Sequence, residues 1–192
     1  MENTFVYLVG PPGVGKYTVG RLLAETMPAR LIDNHYWNNP IFEIVEPDGR
    51  TPLPAAVWDR TRAVRTAVLE TIATLAPPGR NFVFTHAVST DGGHPGDLMV
   101  AGQILATAER RGASALVVRL RCAAAELAQR IESPERAERL KERNADHAAR
   151  YAALEPFDPR HGWTIDLDTT GATPADTAGL VMRALSEPAR EV

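Results

Sequence analysis

The stretch that decides the fold is Gly10–Thr18, GPPGVGKYT, set between the apolar run Thr4–Val9 (TFVYLV) and the segment VGRLLAETM. Pro11-Pro12-Gly13 forbids regular structure, so the chain turns here. Glycines in the turn let backbone N–H groups point inward and approach an anion without Cβ clashes. Those amides, in a loop of Gly10, Pro11, Pro12, Gly13, Val14, Gly15, Lys16, Tyr17 and Thr18, combine with the N-terminus of the helix that follows to form an anion nest. Lys16 then stands where an ammonium reaches the outer phosphates of a bound tail. Gly10-x-x-x-x-Gly15-Lys16 matches the phosphate-binding loop up to its last position. The competing reading is a tight strand-to-helix turn that happens to contain Gly and Lys. The apolar strand before it and the amphipathic helix after it favour the loop.

Tyr17 is the departure. A Ser or Thr hydroxyl at this position normally coordinates Mg²⁺, and a phenol is too long to place its oxygen there. Thr18 lies about 100° further around the helix and does not substitute. The backbone N–H of Tyr17 still suits a phosphate. Mg²⁺ keeps waters readily and needs few carboxylates, so the expectation is that nucleotide binds and the metal is held through water by a nearby acid.

Working outward, Thr4–Val9 reads as a strand buried in a parallel sheet, and a helix from Lys16 carries Val19, Leu22, Leu23 and Met27 on one face until Pro28 stops it. Ala29–Ile32 is a second strand ending at Asp33. Asn34–Pro54, rich in proline, reads as a loop. Ala56–Ala76 keeps a helical period, and Asn81–Thr85 is a third strand. Residues 87–96 read as a Gly-rich loop before a helix at Asp97–Arg111. Ala115–Leu120 is a fourth strand, Ala123–Ile131 a helix, Pro134–Leu154 a charged helical segment, and Trp163–Leu167 a fifth strand. Thr173, Pro174 and Asp176 form a helix-start signature. The alternation predicts a three-layer α/β sandwich on a parallel sheet, with ligands beyond the carboxyl ends of the strands.

Bulk properties narrow the function. At 192 residues, a single domain spanning 1–192 is the expectation. A net charge of −3 with no basic tract argues against nucleic acid or anionic membrane as partner. One cysteine, Cys122, makes no internal disulfide, and the chain opens without a basic leader or apolar signal core; a cytoplasmic setting is expected. Lysine occurs only at Lys16 and Lys141 in a chain that otherwise uses arginine. Keeping a compact point charge inside the loop points to site chemistry. Oligomeric state is not legible here.

Asp33, at the end of strand two, is expected beside the phosphate loop. It would hold a metal-bound water, orient an acceptor hydroxyl or accept its proton; the alternative is a helix cap or loop acid. Residues 34–76 gather His35, Trp37, Trp58, Arg62 and Arg65, the mixture of aromatic and polar groups a small-molecule pocket needs. His86, ending strand three, is expected to face the same crevice.

The chain resembles the small P-loop kinases of the nucleoside monophosphate kinase and shikimate kinase type. The resemblance rests on the loop, on an Asp closing strand two, and on LVVRLRCAAAELAQRIESPER, which is similar to that group's strand-four-to-lid run. It implies a sheet of order 2-3-1-4-5, a lid near residues 130–145, and ATP with Mg²⁺ as cofactors. It places Arg130 at the adenine or phosphate, Arg136 in the lid over the transferred phosphoryl group, and Thr170 and Ala172 (within IDLDTTGATPAD) beside the base. His35 stands where shikimate kinases carry a second Asp, and their Gly-Gly-Gly and Arg-Pro-Leu-Leu signatures are missing, so the resemblance does not extend to shikimate as acceptor. The expected activity is transfer of the ATP γ-phosphoryl group to a small acceptor. The rival is a nucleotide-binding module, or weak ATPase, without phosphotransferase activity.

Overall fold

The computed structural model describes residues 1–48, 51–88, 95–133, 145–155 and 157–187. The apolar run before the loop forms β1 (Thr4–Gly10), buried along its whole length. It takes the centre of a five-stranded sheet of order β2-β3-β1-β4-β5, with β2 at Ala29–Ile32, β3 at Asn81–Ala87, β4 at Ser114–Arg121 and β5 at Thr164–Asp168. Every pairing is parallel. Side chains of β1 alternate between faces: Val6 and Leu8 join one core, Phe5, Tyr7 and Val9 the other.

Helices cover both faces. The first core is closed by α1 (Lys16–Thr26), α5 (Ala124–Ile131), α6 (Ala148–Ala153) and α7 (Pro174–Ser186), through residues such as Leu23, Leu127, Tyr151 and Val181. The second is closed by α2 (His35–Val45), α3 (Ala55–Leu75) and α4 (Pro95–Arg110), through Trp37, Leu69 and Ile104. A short 3₁₀ turn at Ala145–His147 precedes α6. The expected capping box starts α7: the Thr173 hydroxyl accepts from Asp176 N–H at 3.1 Å, and Thr173 N–H donates back to the Asp176 carboxylate at 3.3 Å. Among the described residues no helix is long and apolar enough to cross a membrane.

One expectation fails. Asn34–Pro54 is not a loop throughout, because His35–Val45 is helical with Pro40 inside it. A proline in a helix interior costs about 3 kcal/mol. The helix buries Trp37 and Phe42, and burying each such side chain contributes about 1.5–3 kcal/mol. Tertiary packing therefore overrides the local breaker. Of the charged segment 134–154, residues 134–144 lie outside the described residues, and with them most of the expected lid and Arg136.

The strand-to-loop corner tolerates glycine alone. A Cβ built on Gly10 would lie 2.3 Å from the Leu120 carbonyl oxygen, which is fixed backbone of β4. Gly10→Ala must push β1 and β4 apart. We expect a loss of about 2 kcal/mol or more, a fall in Tm of about 4–8 °C in a chain of this size. An unchanged melting curve by circular dichroism would contradict the close approach.

Candidate functional site

The carboxyl ends of the strands open onto one cleft of about 1610 Å³. Pockets for one small ligand run to about 300–1,000 Å³, so this cleft has room for two molecules side by side. Its floor is the Gly10–Thr18 loop. Gly13 and Gly15 adopt φ of 85° and 100°, where a side chain is strained. Gly15 also caps α1, and having no side chain it leaves the first helical N–H groups to an anion. Lys16 is buried, and its ammonium donates to the carbonyls of Gly10 at 2.8 Å and Pro11 at 2.7 Å. These bonds fold the charge back along the loop. Pro12, Gly13, Val14, Gly15, Lys16, Tyr17 and Thr18 all line the cleft; Gly10 and Pro11 lie behind it and contribute carbonyls. Tyr17 is half-buried and Thr18 exposed.

Asp33 lines the same cleft and is buried. One carboxylate oxygen accepts from His35 N–H at 2.9 Å, which starts α2, and the other accepts from the Thr85 hydroxyl at 3.0 Å. Thr85 in turn accepts from Asn34 N–H at 3.2 Å. The acid is therefore both a local cap and a cleft residue, pinned by β3.

His86 lies at the end of β3, buried beneath the cleft wall. Its Nε2 is 3.1 Å from an Asp97 carboxylate oxygen and its Nδ1 is 2.5 Å from the Tyr7 hydroxyl. A carboxylate only accepts, so Nε2 carries the proton, Nδ1 accepts, and Tyr7 donates. Burial pushes the His86 pKa down, outweighing the opposing pull of Asp97. Burial, reinforced by Asp97, pushes the Tyr7 phenol up. Both groups are thus held neutral, and His86 serves to fix Asp97. The sequence reading did not single out Tyr7, Thr85 or Asp97; nothing local distinguishes a strand tyrosine or a first-turn aspartate.

A base with a depressed folded pKa binds fewer protons folded than unfolded, so its contribution is complete above the unfolded value of about 6.5 and is lost as pH falls through the folded one. Stability should therefore decline below about pH 6.5, and His86→Gln should flatten that part of the profile. Urea midpoints measured from pH 7.5 to 5 check this; parallel profiles for the two proteins would refute it.

Arg130 also lines the cleft. Its guanidinium donates to Thr169 Oγ1 at 3.1 Å and Thr169 O at 3.0 Å, and it pairs with Glu126. The nearest atom to a Cβ on Gly15 is Arg130 Nη1, at 4.0 Å, so this charge stands over the loop. Glu126 is held below the usual carboxylate range by the N–H of Gly171 first and by Arg130 second. Ala172 lines the cleft, whereas Thr170 does not; its hydroxyl accepts from Ala123 N–H at 2.8 Å, and Thr169 stands at the wall instead.

The aromatic residues divide by exposure. Trp37 lines the cleft but is 2% exposed and belongs to the core; Trp58 is 47% exposed and meets Phe42 edge to face at 5.9 Å. His35 stacks edge-on against Phe42 and is 2.9 Å from Asn39 Oδ1 through Nδ1. Arg62 lines the cleft while pairing with Asp59. The fold thus brings the loop, Asp33, His35, Trp58, Arg62, His86 and Arg130 to one cavity.

No protein-family model matches this chain. Over 88 residues it is 33% identical to shikimate kinase 2 of Escherichia coli, a match covering 42% of this chain and 46% of that one. The chain spans less than half the length of the curated relatives it matches. Among solved structures, a gluconokinase from Sinorhizobium meliloti superposes with a TM-score of 0.64 at 19% identity, covering 97% of this chain and 94% of its own. A sugar kinase from a Janibacter species does so with a TM-score of 0.64 at 16% identity, covering 96% and 95%. These likenesses, with the strand order and the loop geometry, make the fold that of the P-loop kinases: a three-layer α/β sandwich on a 2-3-1-4-5 parallel sheet.

Proposed function

We propose that this protein is an ATP-dependent phosphotransferase that moves the γ-phosphoryl group to a hydroxyl or phosphate oxygen of a small acceptor. One observation carries the reading: the loop with its buried lysine and the buried Asp33 line the same cleft, which is large enough for nucleotide and acceptor together. Similarity to proteins named shikimate kinase, gluconokinase and sugar kinase supports the same class.

In this reading the loop amides and Lys16 grip the β- and γ-phosphates. Arg130 lies over the transferring group, where charge spreads across three oxygens. Thr169 and Ala172 border the base. The acceptor rests against Trp58 and Phe42, with its attacking oxygen toward Asp33. As the oxygen bonds to phosphorus and the bridge to the β-phosphate breaks, Asp33 orients the hydroxyl and takes its proton. Among the described residues no three His, Cys, Asp or Glu side chains gather to hold a metal. Asp33, buried in the cleft lining, is the residue that would hold Mg²⁺, through water. When bound, it would neutralise charge on the β- and γ-phosphates.

Tyr17 favours a second reading, a nucleotide-binding module without transfer, because it takes the place of the usual metal-binding hydroxyl. The two separate on ATP consumption measured with and without a panel of alcohols, sugar acids, nucleosides and nucleotides. Acceptor-stimulated turnover is the expected result. Tight ATP binding that no acceptor converts to turnover would leave the module.

A further inference from the structure

Asp97, in the first turn of α4, is 8% exposed and lines the cleft. Its Oδ1 accepts from His86 Nε2 at 3.1 Å, and His86 Nδ1 accepts from the Tyr7 hydroxyl at 2.5 Å. The Tyr7 bond settles the tautomer: with Nδ1 accepting, the ring proton stands on Nε2 and points at Asp97. Phe157 meets the same ring edge to face at 6.1 Å and holds its plane. Buried side chains from separate parts of the chain thus aim one carboxylate. The helix dipole does not account for this. A first-turn acid gains from the positive end of its helix while water still solvates it. Asp97 is desolvated, and the ring that holds it is kept neutral by burial, so this bond brings no opposite charge to offset the cost.

The end of β3 holds two acids of the cleft. The Thr85 hydroxyl donates to Asp33 at 3.0 Å, and His86, the next residue, donates to Asp97. Successive strand residues point to opposite faces, so the two carboxylates flank this strand end. Asp97 lies on the face covered by α3 and α4, whose residues Trp58, Thr61 and Met99 also line the cleft. Lys16 and Arg65 both act on the His86 ring as positive charges. An ammonium brought to Asp97 would meet that repulsion, whereas a hydroxyl would not. A carboxylate only accepts, and it has about four lone-pair sites, so the bond from His86 leaves it able to take one from a ligand.

We infer that Asp97 is a hydroxyl-binding residue of the acceptor subsite, and that the acceptor carries a second hydroxyl, besides the one it offers for phosphorylation, which donates to Asp97. The inference rests on the kinase reading for the word acceptor. His86 and Tyr7 act as positioning residues: His86 fixes the carboxylate, and Tyr7 fixes the ring proton that does so.

Calorimetric titration of the full chain with matched pairs tests this without turnover: D-gluconate against 2-deoxy-D-gluconate, D-ribose against 2-deoxy-D-ribose, and uridine against 2′-deoxyuridine. In at least one pair the hydroxylated member should bind about 10- to 100-fold more tightly, the scale of a hydrogen bond to a charged group. Asp97→Asn keeps an oxygen toward His86 and turns its NH₂ to the ligand, a donor facing a donor. It should bring that ratio below about threefold and leave ATP affinity within twofold. Tyr7→Phe releases the His86 tautomer and should lower the same ratio, whereas a purely structural tyrosine would weaken both members alike. A ratio unchanged in either variant overturns the assignment. So does the failure of every pair to separate, whether through equal binding or through none.

The melting temperature gives a second reading. A carboxylate kept for ligand should leave Asp97→Asn within about 2 °C of the wild type or more stable, since the bond from His86 survives. A fall of several degrees makes Asp97 structural and refutes the site. Transfer to alcohols with a single hydroxyl as fast as to the polyols sinks the site and spares the kinase. Binding that depends on Asp97 and the second hydroxyl, without any transfer, supports the site and sinks the kinase.

Discussion

Replacing Lys16 with alanine should lower acceptor-stimulated ATP turnover by about a thousandfold or more, the scale on which phosphoryl-transfer sites depend on one placed cation. The reason is geometric as much as electrostatic. The ammonium sits 2.7–2.8 Å from two loop carbonyls, a fit for a compact three-donor group at the end of a flexible stem. Lys16→Arg should therefore fail as well, although it keeps the charge, because a planar fork cannot occupy the same pocket. Steady-state kinetics on both variants, with melting curves to confirm folding, check this. Turnover within tenfold of wild type in Lys16→Ala would remove the loop from the chemistry.

Asp33→Asn should lower kcat by about a hundred- to a thousandfold, the range for a lost proton acceptor, while ATP affinity stays within threefold. The substitution is nearly isosteric. The amide oxygen still accepts from His35 N–H, and the Thr85 hydroxyl is placed to accept from the amide NH₂ in place of donating to a carboxylate. The fold should survive with little change in Tm, so a kinetic loss would report chemistry rather than collapse. ATP affinity falling together with kcat would move Asp33 from the acceptor side to the nucleotide side. Full activity would leave it the role of a helix cap alone.

The local code was legible wherever it was strong. The loop, the flanking strand and helix, and the Thr173–Asp176 cap are short-range patterns whose geometry follows from glycine φ values, helix polarity and hydroxyl reach. The run of fully apolar strands between amphipathic helices was enough for a parallel sheet. Reading failed at His35–Val45, where Pro40 signals a break that burial of Trp37 and Phe42 outweighs. It also could not sort Trp37 from Trp58, since both are aromatics in one segment and only packing makes one core and the other cleft wall.

The chain by itself determined the Gly-rich turn after β1, with its positive-φ glycines and its lysine at the helix start, because that turn is made of consecutive residues. What only the tertiary structure decided is how distant side chains divide their hydrogen bonds. Tyr7, His86 and Asp97 come from three elements and satisfy one another, whereas Arg65 reaches Gln103 and keeps one buried nitrogen unmatched. Such pairings depend on positions far apart in sequence meeting within hydrogen-bonding distance, and no periodicity in a linear string encodes that distance.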